Sequence, residues 1–138
     1  MKVDGQCHCG DIRFEAEVDP KTLRICHCTD CQRISGSAFR ANIAAPAEHF
    51  KLLSGEPKSY IKVAESGAKR RHTFCGNCGT PIFACAMENP PHYSLRSGAI
   101  NQRHAFEPFL QIWHKSALGW VDRIGQVPAS EKQEGAKI

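Results

Sequence analysis

Eight cysteines in a chain of 138 residues are the feature that most restricts what this sequence can fold into. Seven of them fall into three short groups, and Cys85 stands alone in an apolar segment. The groups are Cys7-His8-Cys9, Cys26-His27-Cys28-Thr29-Asp30-Cys31 and Cys75-Gly76-Asn77-Cys78. In a reducing compartment, cysteines grouped in this way are typical of metal sites rather than of disulfides.

The start of the chain favours such a compartment. It reads Met-Lys-Val-Asp-Gly, with no apolar secretory core, and no apolar run approaches the roughly 20 residues of a spanning helix. We therefore expect a cytoplasmic protein with no membrane partner.

The charge of the chain argues against a nucleic-acid partner. The formal net charge is +4 with cysteines counted as neutral. Zinc-bound cysteines are thiolates, so one four-cysteine site and one three-cysteine site would reduce the net charge to about +1. The short basic cluster at residues 69–72 is then expected to be a solvated face. The sequence does not indicate an oligomeric state.

Short segments separated by Gly, Pro, Asn and Ser predict a mostly β domain. The clearest strand is 11–18, where Ile12, Phe14, Ala16 and Val18 alternate with polar residues. Further strands are predicted at 23–25, 38–44, 59–64, 71–74, 81–86, 92–97 and 109–114. We expect one domain over residues 1–128, followed by a polar tail at 129–138.

One short helix is predicted after the second cysteine group. Thr29 is a suitable N-cap, Gln32 would complete a capping box, and Gly36 would end the helix. This helix would carry Cys31 in its first turn, where the helix dipole favours a thiolate.

The group Cys75-x-x-Cys78-Gly79 has the form of a zinc knuckle. A knuckle supplies two of the four ligands of a structural zinc, so another pair must come from elsewhere. The natural candidates are Cys7 and Cys9, which also end in a glycine and precede a strand. A four-cysteine site of this kind would close a large loop and contribute to folding.

The middle group offers three sulfurs, from Cys26, Cys28 and Cys31. Three protein ligands with one open position are the catalytic pattern for zinc. The sequence therefore predicts two zinc ions per chain, one in a closed site and one in an open site.

Other pairings stay open at this point. Cys26 and Cys28 could join Cys75 and Cys78 in one site. The open site could be completed by a histidine from nearby or from a distance, although histidines beside zinc cysteines usually face outward. The candidate histidines are His8, His27, His49, His92 and His114. Cys85 is expected to be a small buried hydrophobic residue.

Three ordered motifs resemble a known family. They are C-H-C-G before an alternating strand, C-H-C-x-x-C-x-x-x-x-G-x-x-F, and F-C-G-x-C-G-T-x-I-F. Together they are similar to the glutathione-dependent formaldehyde-activating enzymes, also called the centromere protein V domain family. The resemblance implies a β-tent fold of small twisted antiparallel sheets. It also implies a structural zinc on Cys7, Cys9, Cys75 and Cys78, and a second zinc on Cys26, Cys28 and Cys31.

The resemblance further implies a carbon–sulfur lyase that adds glutathione to formaldehyde to give S-hydroxymethylglutathione. At the open site, capture of a small-molecule thiol is favoured, because a zinc ion with three thiolates is a weak Lewis acid. Candidate residues for binding the anionic thiol are Arg33, Ser35, Ser37 and Arg40, which follow the cluster closely. Trp113, His114 and Trp120 could line a pocket, although core packing is expected for both tryptophans.

Two functions of other classes remain as alternatives. One is a non-catalytic zinc module for protein interaction, and the other is a redox sensor that uses the three-cysteine site.

Overall fold

Alternating apolar residues build ten strands in the computed structural model, which describes residues 1–133. The strands are β1 (Lys2–Gln6), β2 (Arg13–Glu17), β3 (Leu23–Cys26), β4 (Arg40–Pro46), β5 (Phe50–Ser54), β6 (Lys58–Val63), β7 (Lys69–Phe74), β8 (Pro81–Ala86), β9 (His92–Arg96) and β10 (Pro108–Ile112). One α-helix, α1 (Thr29–Ser35), lies between β3 and β4, and several single turns of 3₁₀ helix occur elsewhere in the described residues. The mostly β prediction with one short helix is confirmed.

The strands form two sheets. The smaller sheet has the order β1-β2-β5, and the larger has the order β10-β3-β4-β9-β8-β7-β6. Neighbouring strands are antiparallel except β3 and β10, which run parallel and thereby add one parallel pair to the predicted antiparallel sheets. No helix within residues 1–133 is long and apolar enough to span a membrane.

The core lies where the apolar faces of the two sheets meet. Phe14 of β2 is fully buried, together with Ile43, Ile82 and Leu95 of the larger sheet. Phe50 stacks on Tyr93 at a ring-centroid distance of 4.5 Å and extends this packing to the edge of the smaller sheet. Buried aromatic and aliphatic side chains of this kind supply most of the stabilisation of a small domain.

Two strands were not predicted, and each lacks a clear alternation. In β1 the inward positions are Val3 and Gly5, and the glycine interrupts the alternation of apolar and polar residues. In β5, four of the five residues are exposed, so its sequence Phe-Lys-Leu-Leu-Ser shows no apolar face. Both strands exist because β2 pairs with them on either side.

The start of α1 differs from the prediction. Cys28 is the N-cap, and its sulfur accepts a hydrogen bond from the backbone N–H of Cys31 at 3.3 Å. The Gln32 side chain therefore forms no capping box with Thr29; it donates to the carbonyl oxygens of His27 and Ser116. The predicted end is confirmed, since Gly36 adopts a left-handed conformation with φ 66°.

Two predictions for the C-terminal part need comment. The tryptophans are not core residues: Trp113 is 56% exposed and Trp120 is 51% exposed, so that prediction is wrong. The predicted polar tail at 129–138 extends past the described residues, because 134–138 lie outside them, and it stays a prediction.

The close packing of Gly5 against its cross-strand neighbour Phe14 and against Ala99 provides a test of the fold. A Cβ atom at Gly5 would collide with the Phe14 ring and with the Ala99 carbonyl oxygen. We expect Gly5→Ala to lower the free energy of unfolding by about 1–3 kcal/mol in urea denaturation of the metal-loaded protein. The control is Gly119→Ala, because nothing lies within 4 Å of its added Cβ. Equal urea midpoints for the two variants would contradict this packing.

Candidate metal centres

Four cysteine sulfurs converge between the two sheets. Cys7 and Cys9 follow β1, whereas Cys75 and Cys78 lie in the turn between β7 and β8. The four sulfur atoms all lie within 4.8 Å of one another, with the Cys9 and Cys75 sulfurs 3.7 Å apart. The structure thus brings together the set that the sequence predicted for a structural zinc.

The backbone of both turns favours this convergence. Each turn ends in a glycine with positive φ, Gly10 at 85° and Gly79 at 80°, which a side-chain-bearing residue adopts only with strain. The Gly79 N–H donates to the Cys75 carbonyl oxygen at 2.8 Å, which closes the knuckle. The His8 N–H donates to Thr80 Oγ1 at 3.0 Å and joins the two turns.

Hydrogen-bond donors favour thiolates at two of the four sulfurs, whereas burial and the neighbouring cysteines raise the pKa of Cys9 to about 11. The backbone N–H of Ile12 donates to the Cys7 sulfur at 3.2 Å. The Thr80 hydroxyl lies 3.2 Å from the Cys78 sulfur, and this side-chain hydrogen bond, with backbone donors, lowers the pKa of Cys78 to about 5. Thiolates at tetrahedral spacing are the donor set of a structural zinc, so these residues fit the ion.

The second cluster lies at the end of β3, which is separated from the β7–β8 turn by β4 and β9 in the order of the larger sheet. Cys26 ends β3, Cys28 caps α1 and Cys31 lies in the first turn of that helix, with the three sulfurs within 4.8 Å of one another. Among residues 1–133, no fourth His, Cys, Asp or Glu side chain joins this group. The alternative pairing of Cys26 and Cys28 with the knuckle is therefore wrong.

Opposing effects act on the sulfurs of this three-sulfur cluster. Burial, with hydrogen bonds to Cys28 and Cys26, raises the pKa of the Cys31 thiol to about 12, although the charge of Arg40 acts in the opposite direction. Arg40 Nη2 donates to the Cys31 sulfur at 2.8 Å. A divalent cation deprotonates coordinating thiols outright, so the three sulfurs fit a metal ion although Cys31 alone would stay protonated.

His27 has a structural position that the sequence did not indicate. The expectation that histidines beside the cysteines face outward is correct for the exposed His8 and wrong for His27, which is fully buried. The His27 ring lies within hydrogen-bond distance of Gln111 Oε1, at 2.7 Å from Nε2, and it packs edge-on against Phe39 and His114. These contacts hold the chain between Cys26 and Cys28 in place.

A cavity of about 200 Å³ opens beside the three-sulfur cluster. Its floor contains the buried residues Cys26, Cys31, His72 and Arg96. Its exposed rim includes Arg24 and His92, which also line an adjoining groove of about 760 Å³. The cluster is therefore accessible to small molecules through this groove.

The predicted substrate-binding residues fall into different places. Arg40 lines the cavity and contacts Cys31, as expected for a residue of the site. Ser35 instead hydrogen-bonds with carbonyl oxygens at the end of α1, those of Gln32 and Phe39. Arg33 and Ser37 are exposed and do not line this cavity.

The sequence analysis missed four basic residues of the cavity, namely Arg24, Arg70, His72 and Arg96. Arg70 and His72 belong to the basic cluster predicted as a solvated face, yet Arg70 is half-buried and His72 is 5% exposed. Arg96 is 7% exposed and carried no local signal at all. The basic run at 69–72, which overlaps the strand predicted at 71–74, was an available indication, because alternate strand residues face inward.

The folded cysteine clusters and the mostly β frame match one known protein family. The model of the glutathione-dependent formaldehyde-activating enzyme family matches residues 2–116. The chain therefore belongs to this family.

Individual curated relatives share about a quarter to a third of the matched residues with this chain. A Halomonas elongata protein with the provisional name of glutathione-dependent formaldehyde-activating enzyme is 26% identical over 88 residues, covering 60% of this chain and 55% of that protein. An uncharacterized lyase of Schizosaccharomyces pombe is 31% identical over 80 residues, covering 58% of this chain and 55% of that protein. The matched region thus spans about half the length of these curated relatives.

A solved structure supports the fold. A Rhodobacter sphaeroides protein has a TM-score of 0.60 and 22% sequence identity, with 78% of this chain and 98% of that chain covered. At this identity the likeness concerns the fold alone.

The two clusters differ in a way that metal analysis can test. We expect Cys31→Ser to reduce zinc from two ions per chain to one while the fold is kept, since the four-sulfur cluster is untouched. Cys75→Ser is expected to lower the melting temperature strongly, because a structural metal contributes folding free energy. The matched control is Cys85→Ala, a buried cysteine outside both clusters, which should keep both ions. Wild-type zinc content in Cys31→Ser would refute the second site.

The environment of His72 predicts a dependence of stability on pH. Burial, together with the charges of Arg40 and Arg96, lowers the pKa of His72 from 6.5 to about 4. The unfolded chain then binds a proton that the folded protein excludes, so stability is lost as the pH falls from about 6.5 towards 4. Between pH 7 and pH 5, we expect the free energy of unfolding of His72→Gln to fall by about 1–2 kcal/mol less than that of the wild type, as measured by urea denaturation. Any loss of zinc at low pH would destabilise both proteins alike. An equal decrease in the free energy of unfolding of the two proteins would therefore contradict the prediction.

Proposed function

We propose that this protein is a zinc-dependent carbon–sulfur lyase that acts on adducts of a thiol with a small electrophile, such as glutathione and formaldehyde. The observation that carries this proposal is the three-sulfur cluster on the floor of an accessible cavity. The protein supplies three ligands there, which is the pattern of a catalytic zinc site rather than a closed structural one. The family membership agrees with this chemistry.

The roles of the cysteines are assigned accordingly. We assign a structural zinc to Cys7, Cys9, Cys75 and Cys78, and a catalytic zinc to Cys26, Cys28 and Cys31. When bound at the second cluster, zinc supplies the capacity to hold a thiol as its thiolate, the form that attacks an aldehyde carbon.

Hydrogen-bond donors of the chain orient the sulfurs of the second cluster and favour their thiolate forms. Arg40 donates to the Cys31 sulfur and so favours the thiolate form of this cysteine. The hydrogen bond from the Cys31 N–H to the Cys28 sulfur does the same for Cys28. The volume of the adjoining groove, about 760 Å³, lies within the usual range for small-molecule sites, so a thiol of the size of glutathione fits there.

The same geometry bears on the two alternative functions. A module used only for protein interaction needs no cavity at its metal site, and a redox sensor needs exposed thiols. In the second cluster Cys26 and Cys31 are buried, and only Cys28 is partly exposed. This arrangement favours a site that receives a small molecule. The cytoplasmic location stays a prediction.

A kinetic measurement tests the proposal. We expect the protein with both zinc ions to accelerate the formation of S-hydroxymethylglutathione from glutathione and formaldehyde, measured by exchange NMR. Cys31→Ser should abolish the acceleration and Cys85→Ala should keep it. A wild-type rate equal to the spontaneous rate, with no glutathione binding in calorimetry, would refute the enzymatic function.

A further inference from the structure

Two guanidinium groups converge on a single nitrogen beside the three-sulfur cluster. Arg40 Nη1 on β4 and Arg96 Nη2 on β9 both donate to His72 Nδ1 on β7, at 3.4 Å and 3.2 Å. Since Nδ1 accepts both bonds, His72 is neutral and carries its proton on Nε2. The three side chains therefore present donors, and no acceptor remains among their ring and guanidinium nitrogens.

The charge around this group is not balanced by carboxylates. Four arginines line the cavity, namely Arg24, Arg40, Arg70 and Arg96, and no Asp or Glu does so. Among the ion pairs formed within residues 1–133, none includes any of these arginines. Arg40 donates to the Cys31 sulfur, and Arg96 donates to Asn42 Oδ1 and to the Ser94 carbonyl oxygen, so neither guanidinium group has a carboxylate partner. Since a buried positive charge without a carboxylate partner is costly, the cavity is electrostatically complementary to an anion.

Unpartnered polar atoms in the cavity wall support the same conclusion. His72 Nε2, Arg40 Nε and Arg96 Nε are buried without a hydrogen-bond partner. His72 and Arg96 are more than nine-tenths buried, at 5% and 7% exposure. Buried donors without acceptors are rare in native proteins and need an explanation. An anion in the cavity would lie against the three side chains that carry these donors.

The size of the cavity limits what the anion can be. Its volume of about 200 Å³ is below the range of about 300–1,000 Å³ for sites that hold whole drug-sized ligands. It therefore takes a small molecule or the end of a larger one. The N–H groups of Arg40 and Arg96 that remain outside their hydrogen bonds within the protein can donate charge-assisted hydrogen bonds to a carboxylate.

We propose that this cavity is a carboxylate-binding site, and that, given the proposed function, one of the two reactants carries its carboxylate there beside the three-sulfur cluster. The small volume favours the electrophile, which is then an aldehyde with a carboxylate next to its carbonyl group, while the thiol occupies the adjoining groove. In the reaction the thiol S–H bond and the C=O π bond break, a C–S bond forms, and the thiol proton moves to the oxygen. No oxidant or reductant is needed.

Binding of small probes to the zinc-loaded protein tests the site directly. Calorimetry would compare glyoxylate, acetate, inorganic phosphate and formaldehyde. We expect glyoxylate and acetate to bind, formaldehyde not to bind in this cavity, and phosphate to bind more weakly than glyoxylate. Arg96→Gln and Arg40→Gln should each raise the Kd of glyoxylate at least about tenfold. The exposed Arg123→Gln is the matched control and should change the Kd less than about twofold.

Several outcomes would overturn the site. They are no binding of either carboxylate, tighter binding of phosphate than of glyoxylate, or an unchanged Kd in both cavity variants. Arg96 is buried, so its variant is compared with the wild type by circular dichroism and zinc content. If Arg96→Gln does not fold, the half-buried Arg40 decides the question.

Rate measurements then identify the reactant that carries the carboxylate. If the aldehyde carries it, Arg96→Gln slows addition of glutathione to glyoxylate about tenfold and addition to formaldehyde less than about twofold. If the thiol carries it, both additions slow, and replacing glutathione with its dimethyl ester slows the wild type to the same extent. Carboxylate binding without turnover of either aldehyde would refute the proposed function alone, whereas turnover of formaldehyde without carboxylate binding would refute this inference alone.

Discussion

The convergence of four cysteine sulfurs from two distant turns is the constraint on which the rest of this structure depends. Cys7 and Cys9 leave the smaller sheet, and Cys75 and Cys78 connect two strands of the larger sheet, so the cluster joins both sheets at one point. Four thiolates within 4.8 Å repel one another unless a cation lies between them. A metal ion bound by these four cysteines would therefore stabilise the contact between the sheets in addition to apolar packing.

The second cluster depends on this frame but has a different character. Its sulfurs come from one continuous stretch, since β3 ends at Cys26 and α1 begins after Cys28. The local chain alone brings the three sulfurs together. The surrounding strands form the cavity beside them. Strands β4 and β9 supply Arg40 and Arg96, which give the cavity positive charge, and β7 supplies the neutral His72 that both arginines contact. The proposed structural and reactive roles of cysteine thus belong to separate clusters.

Local physics explains which elements were predictable. The strand around Phe14 and Ala16 was predicted because its buried and exposed residues alternate. Strand β1 was missed because Gly5 faces inward, and β5 was missed because most of its side chains are exposed. The N-cap was assigned to Thr29, whereas the sulfur of Cys28 satisfies the Cys31 N–H. Trp113 was expected in the core because tryptophan is large and apolar, yet it lies on the surface.

The sequence by itself determined the three local groups of cysteines and the mostly β fold, because spacing of two or three residues and alternation are properties of the local chain. Only the tertiary structure decided the charge of the cavity. Arg24, Arg40, Arg96 and Arg70 lie on β3, β4, β9 and β7, which are far apart along the chain. The strand order β3-β4-β9-β8-β7 brings them to one wall. Since the pairing of distant strands sets that order, no local pattern could reveal it.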